Sequence, residues 1–416
     1  MLENLDSTNW TQLRDLDGAA SDLPKLIRSL PDSDEPTRQQ NLEELALRVW
    51  SESHRSEATP RIVPFLTELA TETTVPARSQ IISLITQIGI GEERVHIPSG
   101  IRPTRYRADC IAREQRTRKA LEREREMFAR SARERSPLGT FDVYSSWEWE
   151  SYQVVEAAVP ELAGLLLDED DSVRNAIIHG IAWFPKHAEL VVPMLYQVLK
   201  TAECEGETAN ALIAIGMLTR NAEPIMPPPD FANFASTEQS PLVRTAAALA
   251  MARNPLAGTL QDVLCEYLLA LETTDPPHHA FQFNQRHFVA HIALTLALWH
   301  NDGIDTIVHA VARGLEKSAS FGKYDTVRAL IELGQPYSAP RVIGLVAPQL
   351  TNSQRTIMRA IADHGPWRFP FDETQAWGNF AQLLRAYGLP DSRAAMERLL
   401  TWGICEPEWW RALRGS

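Results

Sequence analysis

The chain has 416 residues, of which 44% are hydrophobic, with 54 Asp+Glu against 41 Lys+Arg. A chain of this length exceeds the size at which one compact core usually stops growing, so it predicts either several domains or growth in one dimension. The formal net charge of -13 argues against nucleic acid and anionic membranes as default partners and favours a basic or otherwise complementary one.

The cysteines and the N-terminal residues indicate the class of protein. The four cysteines stand far apart without a Cys-x-x-Cys pair, which predicts neither a disulfide framework nor a zinc knuckle and favours the reducing cytoplasm. The first residues are acidic and lack the apolar core of a secretory signal, and no apolar run approaches the roughly 20 residues that span a bilayer. We therefore expect a soluble protein in which residues 1–40 form an N-terminal cap.

Helical repeats are predicted to begin within residues 41–90 and to be interrupted by an insertion over residues 91–145. From residue 101 to residue 135 the insertion carries 12 Lys+Arg against 6 Asp+Glu, in a chain that is otherwise acidic. One interpretation is a projecting, partly helical arm that is only solvated. The other is an arm that clasps an acidic protein or a nucleic-acid backbone, because Arg pairs bidentately with carboxylate and phosphate. The candidate contacts of this arm are Arg102, Arg105, Arg107 and Arg116.

An aromatic stretch follows the basic one, with five aromatic residues among the twelve from residue 141 to residue 152. Trp and Tyr are over-represented at the energetic centres of protein interfaces, which makes Tyr144, Trp147 and Trp149 candidate partner-binding residues. The same residue types also fasten an insertion onto its scaffold by packing. Both interpretations stay open at this point.

A pair of helices recurs through the rest of the chain. Val159-Pro-Glu-Leu is predicted to open a first helix, and an acidic turn then leads to a second helix at Val173. The second helix recurs 34 residues later at Glu207 and a further 36 residues later at Val243. The first helix recurs at Val192, 33 residues after its earlier copy. Two helix registers therefore agree on the period of a helix-pair repeat.

The turns between these helices carry a resemblance to a known repeat. Asp171-Ser-Val173-Arg174 and Ser240-Pro-Leu-Val243-Arg244 resemble the HEAT repeat, particularly its short phycobilisome-lyase-type variety, in which an acidic turn precedes Val-Arg and an Ala-rich helix. The resemblance implies an all-α fold, an α-solenoid of about seven to eight HEAT-like helix pairs over residues 41–90 and 146–405, with the basic arm inserted and residues 406–416 as a C-terminal cap. It also implies that Asp171 and Arg174 tie adjacent repeats together.

Solenoids commonly bind an extended partner on a concave face lined by the second helix of each pair. On the helix from Val173 to Phe184, an apolar stripe is expected to pack against neighbouring helices. Asn175, His179 and Trp183 are then expected to face outward, as partner contacts or as part of an ordinary solvated face.

Sequence signatures of catalysis are missing. The chain contains no dinucleotide-binding, P-loop, Gly-x-Ser-x-Gly or His-Glu-x-x-His pattern. His287 and His291 are four residues apart, but no carboxylate lies between residues 276 and 300, so we predict no metal and no cofactor. The His-Glu dipeptides of HEAT-like deoxyhypusine hydroxylases are absent as well, and Trp183 and Trp299 are the only link to HEAT-like alkylpurine DNA glycosylases.

The sequence therefore predicts a non-enzymatic scaffold that binds a protein partner on its concave face and inserted arm. No membrane is predicted as a partner. The identity of that partner is open. The alternative is a HEAT-like enzyme that acts on nucleic acid or modifies a protein, with the basic arm supplying phosphate contacts.

Overall fold

A computed structural model of the chain describes residues 2–32, 34–51, 54–130, 146–223, 226–227, 230–253, 255–272, 281–334, 350–369 and 372–402. The chain divides into two compact units, residues 1–229 (unit 1) and 230–416 (unit 2). This division falls inside the region predicted to be one run of repeats. Tyr144 and the predicted C-terminal cap at 406–416 lie outside the described residues.

The described residues are mostly helical, which confirms the prediction of an all-α fold. Unit 1 contains α1 (Leu23–Asp32), α2 (Glu35–Val49), α3 (Thr59–Thr71), α4 (Arg78–Ile90), α5 (Pro103–Arg130), α6 (Ser146–Leu162), α7 (Asp171–Ile181), α8 (Ala188–Thr201) and α9 (Glu205–Asn221). Unit 2 contains α10 (Pro241–Met251), α11 (Gly258–Ala270), α12 (Phe288–Trp299), α13 (Ile304–Lys317), α14 (Ser320–Gly334), α15 (Asn352–His364), α16 (Gly378–Ala386) and α17 (Arg393–Trp402). Two short antiparallel hairpins, β1 (Trp50–Ser51) with β2 (His54–Arg55) and β3 (Arg368–Phe369) with β4 (Asp372–Ala376), are the described strands.

In unit 1, helices that are not consecutive in the chain pack side by side. Helix α3 packs against α4 and α6, and α8 packs against α9, while α4 contacts α7 and α7 contacts α9. The helices α4, α7 and α9 therefore lie side by side in one layer. Each member of this layer is rich in Ile, Leu and Ala, and α9 is buried along almost its whole length, because it is covered from several sides.

In unit 2 the packing also alternates along the chain. Helix α11 contacts α13, and α13 contacts α15, while α12 packs extensively on α14 and α13 packs on α14. Helix α13 is strongly amphipathic, with Ile307, Val308, Val311 and Leu315 buried on one side. Its opposite side therefore stays available to solvent and to a ligand.

The prolines of the first helices do not open them, which corrects the prediction made from the Val-Pro motifs. Pro64 is the sixth residue of α3, Pro193 is the sixth residue of α8, and Pro160 lies near the end of α6. Each proline removes one helical N–H donor. The neighbouring apolar side chains of Val63 and Val192 are buried, and this burial offsets the lost hydrogen bond.

Ion pairs connect successive helices of the α4, α7 and α9 layer. Arg78 of α4 donates to both carboxylate oxygens of Asp168 at 2.6 and 2.9 Å. Arg174 of α7 donates from Nε to Glu207 Oε1 of α9 at 2.7 Å, as the resemblance implied for this arginine. The carboxylate that pairs with Arg78 belongs to Asp168, whereas the resemblance had pointed to Asp171. The Arg78 guanidinium lowers the pKa of Asp168 through this bidentate pair.

Candidate partner-binding surface

The insertion begins with a segment that is built into unit 1. Residues 91–101, which we call the strap, lie across the C-terminal ends of α4, α7 and α9. At α4, the His96 ring contacts the carbonyl oxygen of Ile90 through Nε2 at 2.9 Å. At α7, Glu93 Oε1 lies 3.1 Å from His179 Nε2. The strap thus occupies helix ends whose last carbonyl groups have no partner within the helix.

At α9 the strap is held by two side chains at the end of the helix. Arg220 donates from Nη1 to the carbonyl oxygen of Pro98 at 2.9 Å, and Asn221 donates from Nδ2 to the carbonyl oxygen of Ser99 at 2.8 Å. Gly100 has a φ of 77°, and a Cβ atom there would lie 2.5 Å from the Asn221 Nδ2 atom. Glycine is therefore required where the strap turns into α5.

A buried arginine completes the anchoring at α4. The side chain of Arg55 is 1% exposed and donates from Nε to the carbonyl oxygen of Ile88 at 3.0 Å. Its guanidinium lies against Gly91, which has a φ of 72° and leaves no room for a Cβ atom. Arg55 therefore satisfies the end of α4 and supports the first residue of the strap at the same time.

The first turns of α5 pack against α6. Cys110 is buried, and Arg113 donates from Nη2 to Glu148 Oε2 at 2.5 Å. Burial, followed by the nearby Glu148 carboxylate, raises the pKa of the Cys110 thiol to about 12. The thiol is therefore protonated at neutral pH and does not act as a nucleophile. Its role is to fill the contact between α5 and α6.

Aromatic rings form a continuous layer beneath α5. The Trp149 ring stacks on Tyr152 at 5.4 Å between centroids, and the Tyr106 ring of α5 lies 5.3 Å from Tyr152. Tyr152 also lies 5.0 Å from Phe184, and its hydroxyl donates to the carbonyl oxygen of Trp183. These contacts favour the fastening interpretation for Trp149. Among the described residues of the predicted aromatic site, only Trp147 remains partly exposed without a ring contact.

Asn175 and His179 on α7, and Trp183 directly after it, do not face outward, so that part of the prediction is wrong. Trp183 is 0% exposed and Asn175 is 5% exposed. The Asn175 amide donates to the carbonyl oxygen of Asp171 and accepts from the Asn210 amide of α9 at 2.8 Å. His179 is covered by Glu93 of the strap. The physical reason is that α7 lies between α4 and α9 and carries the strap on its C-terminal end.

Exposed cations lie along α5 and directly before it. Arg102, which precedes α5, and Arg105, Arg107 and Arg116 within it are all exposed. The Arg105 side chain is 83% exposed, and its nearest carboxylate, that of Asp109, is 3.9 Å away. Among the described residues, no carboxylate lies within 4.0 Å of Arg102, Arg107 or Arg116.

These cations have a regular arrangement. Arg105, Arg116 and Arg123 are separated by 11 and 7 residues, which correspond to about three and two helical turns. They therefore recur on one side of α5, with Lys119 close to the same line. We call Arg105, Arg116, Lys119 and Arg123 the cationic row. It extends over about 27 Å at 1.5 Å per residue.

Two classes of site receive no geometric support in the described part of the chain. No group of three or more His, Cys, Asp or Glu residues there could hold a metal ion. Of the two tryptophans linked to base excision, Trp183 is 0% and Trp299 is 7% exposed, so neither offers a free face to an extruded base. None of the described helices combines the length and apolar character needed to cross a membrane.

Comparison of the chain with protein-family models, with curated proteins and with solved structures finds no match. A binding surface on this chain is therefore argued from its geometry alone. Sequence reasoning missed the strap contacts of Arg55, Glu93 and Asn221, since none belongs to a repeated motif. Gly91 and Gly100 were the available signals, because glycine is favoured where a chain turns with positive φ.

Proposed function

We propose that the chain is a non-enzymatic scaffold, an α-solenoid of HEAT-like helix pairs, that binds a protein partner in the reducing cytoplasm through the cationic row of α5. The observation that carries the proposal is the contrast within α5. Its packed side is fixed by Tyr106, Cys110 and Arg113, while the cationic row, which runs from Arg105 to Arg123, faces solvent. The packed side fixes the direction of these cations, and among the described residues the one carboxylate within 4.0 Å of the row is that of Asp109, next to Arg105.

The chemistry of the row favours an acidic protein surface. Guanidinium groups bind carboxylates bidentately, and the 27 Å length suits a partner helix or an extended acidic segment. The chain as a whole has a net charge of -13, which opposes the approach of a polyanion such as nucleic acid. The alternation of packed helices in each unit and the Arg174–Glu207 pair support the HEAT-like solenoid. The concave surface of α7 is not part of the proposal.

Capture from a native lysate with three baits tests the proposal. The baits are the wild type, a variant with Arg105, Arg116 and Arg123 changed to Gln, and a control with Arg28, Arg61 and Arg393 changed to Gln. The control arginines are about half exposed and lie in surface ion pairs, so both variants change net charge equally. A protein recovered by the wild type and control, lost from the α5 variant and released by moderate salt supports the proposal. Equal recovery by all three baits contradicts it.

Trp147 provides a second test of the same surface. It lies on the first turn of α6, close to the base of α5, and is partly exposed. Replacing Trp147 with Ala should reduce capture while leaving thermal stability nearly unchanged, because a partly exposed side chain contributes little to folding. Loss of stability with unchanged capture would show that Trp147 only fastens the insertion.

Nucleic acid remains a second candidate ligand, because the cationic row also fits a phosphate backbone. The captures are therefore repeated after nuclease treatment. Recovery that survives nuclease supports the protein partner. Recovery of nucleic acid alone, with affinity falling steeply as salt rises, supports the alternative of a HEAT-like protein acting on nucleic acid.

A further inference from the structure

An open cavity of about 530 Å³ lies in unit 2 between α13 and α15. Its walls are two rows of side chains at one-turn spacing. His309, Arg313 and Glu316 stand on α13, and Arg355 and Arg359 stand on α15. Leu350, Ala360 and Leu400 also line it. The volume lies in the range of small-molecule sites, and the mainly polar and charged lining suits a charged ligand.

The two arginines of α15 have donors to spare. Arg359 has no carboxylate within 4.0 Å among the described residues. Arg355 donates from Nε to the carbonyl oxygen of Leu350 at 3.4 Å, which leaves its two terminal nitrogens for another acceptor. Because the two residues are four apart, their guanidinium groups stand on the same face of α15.

The opposite wall adds a third guanidinium group, that of Arg313, together with the Glu316 carboxylate that pairs with it. Arg313 of α13 is held by an ion pair with Glu316 and donates from Nη2 to the carbonyl oxygen of Leu271 at 3.3 Å. These contacts fix Arg313 on the same cavity as Arg355 and Arg359. Like charges that converge on one space repel each other unless an anion lies between them. The lining carries three guanidinium groups against the two carboxylates of Glu316 and Asp363, so its formal charge is +1 and favours an anionic ligand.

The charge of unit 2 permits this interaction. Residues 230–416 contain 16 Lys+Arg and 18 Asp+Glu, a net charge of -2, whereas residues 1–229 carry -11. The ring nitrogens of His309 and His364 on the cavity wall supply further hydrogen-bond donors. Asp363, at the far end of the α15 row, is the one carboxylate of the lining besides Glu316.

A second cavity next to the first could hold the part of a ligand that carries no anionic group. A neighbouring cavity of about 900 Å³ shares Asp363 and His364 with it and is lined by Lys323 and Trp367. Burial lowers the pKa of Lys323. A ligand with its anion between α13 and α15 can place an apolar or aromatic group next to Trp367.

We propose that the α13–α15 cavity binds a phosphate monoester dianion, with Arg355 and Arg359 as its principal ligands and Arg313 facing them. Two forked guanidinium groups match the three terminal oxygens of a phosphate monoester. The phosphate belongs either to a small metabolite or to a phosphorylated side chain of another protein. The site lies in a different unit from α5 and does not depend on the function proposed for α5.

Calorimetric titration of the full chain tests the site with three probes: inorganic phosphate, phenyl phosphate and a short phosphoserine peptide. We expect saturable binding of phenyl phosphate or of the peptide, tighter than inorganic phosphate. R355Q and R359Q should each weaken it about tenfold or more, because each removes charge-assisted hydrogen bonds. R359K, which keeps the charge but loses the fork, should weaken it less than R359Q. R28Q in unit 1, where Arg28 is about half exposed in a surface ion pair, serves as the control with the same change in charge and should bind like the wild type.

The outcomes distinguish a small phosphorylated ligand from a phosphorylated protein, and they also show whether the proposal is wrong. Preference for phenyl phosphate supports a small phosphorylated molecule, and preference for the peptide supports a phosphorylated protein. Circular dichroism and thermal melting verify that the variants are folded, and R359K gives a second measurement if R359Q is not. Failure of all three probes to bind the wild type, or binding by R355Q and R359Q equal to that of R28Q, overturns the proposal.

Discussion

The base and the outer turns of α5 differ in how their conformation is maintained. At the base, Tyr106 and Cys110 are buried and Arg113 pairs with Glu148, so tertiary contacts fix the helix. Beyond residue 113, the described side chains are exposed or half-exposed, and the Arg118–Glu114 pair at 2.8 Å is a contact within the helix. The position of the cationic row is therefore determined by the packed turns of α5, whereas its side chains are exposed to solvent.

The first turns of α5 are stabilised by the aromatic rings packed against them. The Tyr106 ring contacts those of Tyr152 and His96, and the His96 ring in turn lies 6.2 Å from that of Trp183, just after α7. A change in this aromatic layer should therefore disturb α5, α6, α7 and the strap together. Exposed ion pairs within a helix contribute only about 0.3–0.5 kcal/mol each, so the outer turns depend on the base.

The largest effect is expected from removing the centre of the aromatic layer. Tyr152 is 0% exposed and contacts Trp149, Tyr106 and Phe184. Tyr152→Ala should lower the free energy of unfolding by about 3–5 kcal/mol, the usual cost of an aromatic-to-alanine change in a core. Urea denaturation followed by circular dichroism measures it. A loss below about 1 kcal/mol would show that the layer does not support α5.

The helical character of the chain could be predicted from the sequence, because apolar and amphipathic helices leave a periodic pattern. The second helices at Val173, Glu207 and Val243 are α7, α9 and α10, and the charged arm is helical where it is described. Helix starts were less predictable. The Val-Pro motifs lie inside α3, α6 and α8 because apolar packing there tolerates a missing donor.

The site was predicted in part, and the difference has a physical cause. Exposure of Arg102, Arg105, Arg107 and Arg116 follows from local composition, because a run of cations has no apolar surface to bury. The burial of Trp183 depends on the strap, which is distant in sequence from α7. Periodicity along one helix cannot reveal such a cover. The cavity between α13 and α15 likewise depends on two helices that are separated in the sequence.

Low pH should lower the stability of the packed first turns of α5, because His96 becomes protonated. Burial between the rings of Tyr106 and Trp183 lowers the pKa of His96 to about 4, compared with 6.5 for the free side chain. The unfolded chain therefore binds a proton that the folded chain excludes, and stability present above pH 6.5 is lost as the pH falls toward 4. The loss should reach about 3 kcal/mol at most.

The pH dependence of unfolding in wild type and His96→Gln measures this contribution. The variant should show a flatter profile between pH 6.5 and 4. Burial also lowers the pKa of His187, which lies outside the strap. The His187→Gln variant therefore shows how much of the pH dependence comes from another buried histidine. Equal slopes for wild type and His96→Gln would contradict the role assigned to His96.

A smaller effect is expected where the strap enters α5. Gly100→Ala places a Cβ atom against Asn221 at a residue with a φ of 77°. The strain should cost about 1–3 kcal/mol, and the hydrogen bond from Asn221 to Ser99 should weaken. Hydrogen exchange of the strap, compared with Gly378→Ala at an open position, measures it. Unchanged exchange in the strap would mean that the backbone adapts without strain.

The smallest effect is expected in the outer turns, and its sign is informative. Lys119 and Arg123 are like charges four residues apart, and Arg116 and Lys119 are three apart, so they repel each other by a few tenths of a kcal/mol. Changing Arg116, Lys119 and Arg123 to Gln should therefore leave the free energy of unfolding within about 0.5 kcal/mol of the wild type, unchanged or slightly higher. Urea denaturation at low salt measures it. A clear loss of stability would show that the cationic row is engaged within the fold. Unchanged or higher stability would mean that the fold gains nothing from three adjacent cations, so that their use lies in binding something outside it.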